Sequence, residues 1–394
     1  MRDDGIGLYI HIPFCTAKCG YCDFNSYAGH DHLVPTYTDA LITEASLWAT
    51  TLRERTIETI FFGGGTPSLT PSVDLGRILT AIRSELNVAV DAETSLEANP
   101  GSLSVEYLLE LRGIGVNRLS IGAQSFDDDE LRALDRIHSS DDARAAFAAS
   151  REAGFDNVNL DFIYGLPEQP LERWQRTLEE ALALAPEHLS LYALTVEEGT
   201  PLARDVARGR TPAPDSDAQA DQYEWTQERM ASAGYDHYEI SNWARPGRRC
   251  RHNLIYWRNG EYLGLGAGAH SFLNGMRFST VLLPNRYIEL VEGSATPDAN
   301  GAHAMRHLAG GEQVTAEISM ADTLILGLRL TDGIDVAAFR QRYGQSVEER
   351  HGALIEEFVG HGMLERIDER LRLTARGRLL SNELFQRLLP EPVA

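Results

Sequence analysis

Short runs of β-branched and aromatic residues alternate with segments of helical periodicity, and this alternation constrains the fold more than any other feature of the sequence. The predicted strands are Leu8–Pro13, Thr59–Phe62, Glu93–Glu97, Arg118–Ala123, Asn157–Ile163 and Leu189–Leu194. The predicted helices are Tyr37–Thr50, Val73–Leu86, Val105–Arg112, Asp141–Ala153, Leu171–Leu184 and Gln219–Ala233. Strand and helix repeating every roughly 30 to 40 residues indicates a parallel α/β fold. Eight units would close a barrel, so six predict an open one.

The residues that follow these strands are polar or rich in glycine, and a parallel α/β barrel places its chemistry at this end. They are Cys15 after the first strand, residues 63–67 after the second, Glu97 and Asn99 after the third, Gln124 and Ser125 after the fourth, and Asp161 near the end of the fifth. Asp161 alternates with Leu160 and Phe162, so its carboxylate is predicted to point into the barrel. A ligand or Arg136 could be its partner. All these segments are predicted to meet at one mouth.

Cys15, Cys19 and Cys22 form a C-x3-C-x2-C pattern. Three thiolates can hold three irons of a 4Fe-4S cluster and leave the fourth iron open to another ligand. Zinc bound by these thiols and His11 is an alternative, although zinc ligands usually come as two separated pairs. Unligated structural thiols are a further alternative. Four cysteines in 394 residues are too few for a disulfide framework, so the iron–sulfur interpretation is favoured.

The segment Tyr-Ile-His-Ile-Pro-Phe-Cys, followed by C-x2-C-Asp-Phe, resembles the cluster-binding loop of the radical S-adenosylmethionine (SAM) superfamily. In that family SAM occupies the open iron. The resemblance covers at least the first 240 residues or so and implies a partial (β/α)6 barrel. By residue-by-residue match it also implies SAM contacts from Tyr9, Gly64, Gly65, Thr66, Glu97, Gln124, Arg136 and Asp161.

Within this superfamily, the cysteine segment is most similar to the branch that contains the oxygen-independent coproporphyrinogen III dehydrogenases and the HemW-type heme chaperones. The dehydrogenases have a further cysteine where this chain has Phe24, and a long N-terminal arm before the loop. Here Cys15 follows only fourteen residues, and Phe24 offers no sulfur. Both departures favour the chaperone branch.

A second constellation, at residues 245–257, concentrates four arginines around the fourth cysteine, Cys250. Arg248 and Arg249 could grip carboxylates such as heme propionates. The segment His-Asn-Leu-Ile-Tyr-Trp resembles the motif associated with heme in HemW-type proteins, which implies heme binding by His252, Tyr256 and Trp257. The alternatives are a hydrogen-bonded packing histidine in a solvated loop, and a Cys250 that is a thiolate ligand or a reactive thiol.

Three segments are predicted: a barrel at 1–240, an extension at 241–310 and a C-terminal module at 311–394. The glycines of 262–272 do not fit a dinucleotide fingerprint and predict close backbone packing beside a ligand or the cysteine loop. In the C-terminal module, helices at Met320–Leu330, Val336–Tyr343 and Val347–Gly360 precede a hairpin of Met363–Ile367 and Leu371–Thr374 and a helix at Arg378–Leu389. This order predicts a winged-helix-like α+β module with a capping or partner-docking role.

A net charge of −22 argues against a nucleic-acid partner. The apolar runs are too short for an integral membrane segment and the N-terminus lacks signal-peptide character, so the cytoplasm is the expected location. The predicted function is that of a heme chaperone, which binds heme, delivers it to acceptor hemoproteins, and carries a 4Fe-4S cluster and SAM. The alternatives are a radical SAM coproporphyrinogen III dehydrogenase, which would decarboxylate propionates oxidatively, and a radical SAM enzyme with an unrelated substrate.

Overall fold

The computed structural model describes residues 5–294 and 304–390. Six parallel strands form the centre: β1 (Gly5–Ile12), β2 (Thr56–Gly64), β3 (Val88–Ala98), β4 (Arg118–Gln124), β5 (Val158–Tyr164) and β6 (His188–Ala193). Each of the six predicted strands overlaps one of these, which confirms the parallel α/β architecture. The largest boundary error is at β3, which begins at Val88 rather than Glu93.

Helices follow the strands in chain order and cover the outer face of the sheet. They are α1 (Val34–Trp48), α2 (Ser72–Glu85), α3 (Val105–Gly113), α4 (Asp128–Ala133), α5 (Ser140–Glu152), α6 (Leu171–Ala183), α7 (Pro201–Ala207) and α8 (Ser216–Ser232). Leu8, Ile10 and Phe62 are fully buried members of the main hydrophobic core. Tyr9 and Phe61 alternate with them and contact His252 inside the barrel, where the Phe61 ring is stacked on His252 and the Tyr9 ring is tilted against it. Successive residues of a strand therefore serve two different purposes.

The sheet continues beyond the six barrel strands to twelve. After β6 come two antiparallel strands, β7 (Asp236–Glu239) and β8 (Asn242–Ala244). On the other side, β9 (Tyr262–Leu265) pairs in parallel with β1 and is followed by β10 (His270–Leu273), β11 (Met276–Thr280) and β12 (Leu308–Gln313). The sequence analysis missed β9, because Gly264 interrupts its apolar run. The glycines after it do pack beside the cysteine loop, since a Cβ on Gly268 would collide with Asn25.

Two further helices, α9 (Arg251–Trp257) and α10 (Pro284–Ser294), precede the C-terminal part. There α11 (Ala316–Gly327), β13 (Ile334–Asp335), α12 (Val336–Tyr343) and α13 (Val347–Gly360) lead to a hairpin of β14 (Leu364–Ile367) and β15 (Arg370–Leu373). The helix predicted at Arg378–Leu389 is two helices, α14 (Ala375–Leu379) and α15 (Ser381–Leu388), because the backbone leaves the helical region at Leu380.

The C-terminal elements have a hydrophobic cluster of their own, which includes Leu324, Phe339, Phe358 and Leu371. The order of helices followed by a hairpin is the one predicted for a winged-helix-like module. The segment limits 1–240, 241–310 and 311–394 stay a prediction. Across 5–294 and 304–390, no helix has the length and apolar character needed to cross a membrane.

Candidate functional site

A cavity of about 440 Å³ opens at the carboxyl ends of the barrel strands. Eleven barrel residues were predicted to bind the cluster or SAM, and ten of them line this cavity: Cys15, Cys19, Cys22, Gly64, Gly65, Thr66, Glu97, Gln124, Arg136 and Asp161. The structure therefore brings together residues from five strands and their loops. Ser120 and Tyr192 also line it and were not predicted from the sequence. Both lie on barrel strands, so extending the alternation of inward positions along β4 and β6 would have found them.

The cysteine loop is held by the backbone of the strand ends around it. Phe14 and Cys15 pair in parallel with Tyr27 and Ala28, and the amide of Thr66 donates to the carbonyl of Phe14 at 2.8 Å. A Cβ on Gly65 would lie 2.7 Å from that same carbonyl oxygen. The loop that follows β2 can pack this closely against the cysteine loop only because residue 65 has no side chain. The glycines thus support the cysteine loop in addition to lining the cavity.

Two side chains contact the thiols. The hydroxyl of Thr66 donates to Cys15 Sγ at 3.5 Å, and Arg136 Nη1 donates to Cys19 Sγ at 3.4 Å. A cation at that distance offsets the negative charge of a thiolate-bound cluster. Burial raises the pKa of the Cys22 thiol. The loop therefore offers three free thiols at the cavity wall, with hydrogen-bond donors behind two of them.

This donor set fits a 4Fe-4S cluster better than a single ion. Each thiolate of such a cluster holds a different iron, so the sulfurs do not have to converge on one point. Within the described residues, no group of three or more His, Cys, Asp or Glu side chains surrounds a single-ion position. His11 is not available to zinc, since its Nδ1 accepts from the Tyr9 hydroxyl at 3.0 Å and its Nε2 donates to the Asn25 carbonyl at 2.8 Å.

Tyr9 is the predicted SAM contact that does not line the cavity. Its ring lies behind Gly63, where a Cβ would be 2.9 Å from the Tyr9 ring. Burial and the nearby charge of Glu97 raise the Tyr9 pKa, so its hydroxyl stays protonated and donates to His11. In this structure Tyr9 supports the cysteine loop through His11 and Asn25.

Glu97 and Asp161 are the two carboxylates of the cavity. Glu97 accepts from the amide of Gly64 at 3.1 Å. Burial and the charge of Asp161 raise the Glu97 pKa to about 7, although the Gly64 amide and Arg118 act in the opposite direction. Burial also raises the pKa of Asp161. Two carboxylates that repel each other in one cavity favour a cationic ligand, and SAM carries a sulfonium group.

The partners of Asp161 come from neighbouring strands. Ser120 Oγ donates to one carboxylate oxygen at 3.0 Å and Asn159 Nδ2 to the other at 2.8 Å. Arg136, which the sequence analysis considered as a partner, instead donates to Asn99 Oδ1 at 3.0 Å and to the carbonyl of Gly122 at 3.2 Å. Neutral side chains therefore donate the hydrogen bonds to Asp161. Arg136 instead donates to Cys19 of the cysteine loop.

A chain of buried hydrogen bonds fixes the amide that faces Asp161. His188 Nδ1 is 2.6 Å from Asn159 Oδ1, and His188 Nε2 is 2.8 Å from the Tyr238 hydroxyl. Burial holds the His188 pKa well below its usual value, so the ring is neutral. With Tyr238 donating to Nε2, Nδ1–H donates to Asn159 and turns the amide nitrogen toward Asp161. These residues were not singled out from the sequence, although Asn159 and His188 occupy inward positions of β5 and β6.

The residues predicted for heme lie at the other end of the strands, around α9. His252 is 1% exposed, with Nδ1 2.7 Å from Thr59 Oγ1 and Nε2 2.8 Å from the Tyr256 hydroxyl. Burial lowers the His252 pKa to about 3, so the ring is neutral. Both nitrogens are engaged, and heme ligation by His252 would require α9 to move. In this conformation, the alternative of a hydrogen-bonded packing histidine describes the residue.

The other members of this group are also paired. Arg248 contacts Asp156 at 3.2 Å, and Arg249 contacts Asp332 at 3.0 Å. Arg329 lies over the Trp257 ring. Cys250 is buried beside Glu93, and burial raises its pKa to about 12, which is not the setting of a reactive thiol. None of His252, Tyr256, Trp257, Arg248 and Arg249 lines the cavity, and their role in heme binding stays a prediction.

Comparison with known proteins agrees with this architecture. Residues 9–181 match the Radical SAM superfamily, and residues 314–380 match the HemN C-terminal domain. The coproporphyrinogen III oxidase HemN of Escherichia coli, described as a radical SAM enzyme, is structurally similar with a TM-score of 0.83. The similarity covers 98% of this chain and 90% of that one at 24% identity, and it confirms the fold.

Curated relatives cover nearly the whole chain. The Heme chaperone HemW of Mycobacterium tuberculosis is 40% identical over 99% of this chain and 96% of its own length. That of Bacillus subtilis is 36% identical over 97% of this chain and 99% of its own. The resemblance inferred from the cysteine segment and from Phe24 is thereby confirmed, and the chain belongs to the HemW family of radical SAM proteins.

Proposed function

We propose that this protein is a heme chaperone, which binds heme and delivers it to acceptor hemoproteins. The observation that carries the proposal is the full-length similarity, at 36 to 40% identity, to proteins named heme chaperones. The lack of a sulfur at Phe24 supports it further, because the dehydrogenase branch has a cysteine there.

The scaffold is proposed to carry a 4Fe-4S cluster on Cys15, Cys19 and Cys22. When bound, the cluster supplies the electron and the open coordination position on which radical SAM chemistry depends. Thr66 and Arg136 donate to the cysteine sulfurs and so stabilise the loop in its charged, cluster-holding form.

SAM is proposed to occupy the same cavity. Glu97 and Asp161 supply negative charge for its cationic sulfonium group, and the exposed backbone of Gly64 and Gly65 allows close approach. Asn159 and Ser120 hold the Asp161 carboxylate in one orientation through their hydrogen bonds. These residues bind and orient, and no proton transfer is assigned to them.

Hemin titration of the anaerobically purified protein tests the proposal. We expect saturable binding at a 1:1 ratio, with a Soret band distinct from that of free hemin, and transfer to an apo-hemoprotein such as apomyoglobin. A matched sample receives coproporphyrinogen III, SAM and a reductant. Absence of hemin binding, together with conversion of coproporphyrinogen III to protoporphyrinogen IX, would assign the chain to the dehydrogenases instead.

A further inference from the structure

We propose that heme sits on the rim of the barrel mouth, beside the cysteine loop, with His30 as its axial ligand. The seat consists of Lys18, Phe24, His30, Leu282 and Leu283 and is called the rim seat below. This inference rests on the proposed function and deepens it by naming the heme-binding surface. It places heme at the opposite end of the barrel from α9.

The first observation is an exposed apolar surface beside the loop. Phe24 is 62% exposed, and Leu282 and Leu283 are each 59% exposed. They belong to one surface, because Asn25 Nδ2 and the Tyr27 hydroxyl both donate to the carbonyl of Leu282, at 3.0 and 3.2 Å. Exposed groups of large apolar side chains mark ligand or partner sites in soluble proteins. A porphyrin is a flat apolar ligand that such a surface can cover on one face.

The second observation is the state of His30. Its Nδ1 is 3.0 Å from the carbonyl of Ala28, so Nδ1–H donates and Nε2 keeps its lone pair. No hydrogen bond of Nε2 to the described residues is found. A histidine that ligates a metal usually donates its other ring nitrogen to a carbonyl in this way. The ring also packs against Tyr27, with 5.7 Å between the ring centroids.

His30 also lies beside the cysteine loop. Ala28, whose carbonyl orients the ring, pairs with Cys15 in the short parallel ladder. By contrast, the rings of His11, His188 and His252 are buried and hydrogen-bonded on both nitrogens. The His30 ring is only partly buried, so a ligand can approach it from solvent.

The third observation is an ammonium group without a carboxylate partner. Lys18 is exposed and is the only lysine in the sequence. Its Nζ donates to the carbonyl of Phe24 at 2.9 Å, and no ion pair with a carboxylate is found for it within 5–294 and 304–390. A heme propionate complements this cation. Asp31 follows His30 and is exposed, so the propionates are expected on the Lys18 side of the seat.

The rim seat gives the cysteine loop two roles. The residues that follow Cys22, from Phe24 to His30, form one side of the seat, and Cys15 pairs with the strand that orients His30. A cluster that stabilises this loop would therefore also stabilise the heme-binding surface. Lys18 and Phe24 also line the cavity, so heme on the rim seat would lie next to the cluster and SAM.

Hemin titration of full-length variants with a reconstituted cluster tests the inference. We expect His30→Ala to shift the Soret band and to weaken binding about tenfold or more, a loss of about 1.4 kcal/mol. Leu282→Glu combined with Leu283→Glu should weaken binding by a similar factor, and Lys18→Gln should weaken it less and leave the spectrum unchanged. His361→Ala, an exposed histidine of the C-terminal part, is the matched control and should behave as the wild type.

The outcomes separate this inference from the proposed function. An unchanged Soret band in His30→Ala, or undiminished binding in the double leucine variant, would overturn the rim seat while the wild type still binds hemin. Loss of the ligation spectrum in folded His252→Ala would assign heme to α9 instead. Failure of the wild type to bind hemin would defeat the proposed function itself.

Discussion

The two ends of the barrel contain the same kinds of side chain in opposite circumstances. At the carboxyl ends of the strands, cysteines, carboxylates and Arg136 surround a cavity of about 440 Å³. At the amino ends, a cysteine, a carboxylate, histidine and arginine surround α9 and are buried, with Cys250 and His252 at 0 and 1% exposure. Residue type alone therefore does not distinguish a binding site from a structural one. A binding site is distinguished by an open cavity and by charge that the surrounding residues do not neutralise.

Glu93 and Glu97, four residues apart on β3, show this difference best. Glu93 Oε1 accepts from the amides of Arg251 and His252 at 3.0 and 3.2 Å and so caps α9. Glu97 accepts one amide bond and faces another carboxylate. The charge of Glu93 is stabilised by the amides that donate to it. The charge of Glu97 is disfavoured by the neighbouring Asp161 carboxylate. Such a charge is tolerated where a ligand will neutralise it.

The largest effect should come from removing the carboxylate that caps α9. Burial disfavours the charge of Arg118, but Cys250 and Glu93 keep its pKa above the usual value. Glu93→Ala removes that charge and the acceptor of two backbone amides, so we expect the free energy of unfolding to fall by about 3 to 5 kcal/mol. Denaturant unfolding followed by circular dichroism measures it. Glu97→Ala is the matched control and should cost far less; equal losses would show that the two ends do not differ.

A somewhat smaller loss should follow removal of the buried histidine. His252 stacks on Phe61 at 5.1 Å between centroids and bonds Thr59 and Tyr256. His252→Ala leaves a cavity and two unpaired hydroxyl groups, so we expect destabilisation of about 2 to 4 kcal/mol. The same unfolding measurement checks it. A fully stable variant would mean that the ring is not a packing element and would reopen its assignment as a heme ligand.

We expect SAM binding at the mouth of the barrel to depend on pH, whereas the amino end should show no such dependence. Glu97, with a pKa of about 7, faces Asp161, Arg118 and Tyr9, and its raised pKa means that it ionises only as pH rises through neutrality. The ionised form attracts cationic SAM, so affinity should increase roughly tenfold between about pH 6 and about pH 8. Isothermal titration of the reconstituted protein measures it. Glu97→Gln should flatten the profile apart from the titration of SAM's own amino group, which is common to both proteins. An unaltered slope would remove Glu97 from the binding site.

The smallest effect should come from the arginines at the amino end. Arg248 pairs with Asp156, whose side chain is 81% exposed. Exposed ion pairs contribute little, so Arg248→Ala should change stability by less than about 0.5 kcal/mol. Under the rim seat it should also leave hemin affinity unaltered. A clear loss of hemin binding in this variant would support the heme site predicted around His252.

The barrel and its mouth could be predicted because both follow from local patterns. Alternating strand and helix segments located all six central strands, and the rule that chemistry lies at the carboxyl ends brought ten residues to the cavity wall. Strand β9 was missed since Gly264 weakens its apolar run. Tyr9 donates to His11 and does not line the cavity, so its contact with SAM stays a prediction.

The amino end could not be predicted because it depends on distant partners. Arg248 and Arg249 looked like free cations in sequence, yet their carboxylates lie 92 and 83 residues away. The sequence suggests that His252 is an available ligand, but its Nδ1 is hydrogen-bonded to Thr59, which is 193 residues away along the chain. Neither charge pairing nor burial over such separations leaves a local signal. The free lone pair of His30 was equally invisible, since it depends on the conformation that brings Ala28's carbonyl to the ring.

The iron and sulfide content of four reconstituted variants tests the contrast between the two ends most directly. Cys15→Ser, Cys19→Ser and Cys22→Ser are compared with Cys250→Ser under anaerobic conditions, with visible absorption recorded and folding checked by circular dichroism. Each mouth variant should lose the broad absorption of the cluster, because each thiolate holds one iron. Cys250→Ser should keep it. Loss of iron from a folded Cys250→Ser, with the mouth variants intact, would contradict the assignment of the chemistry to the mouth.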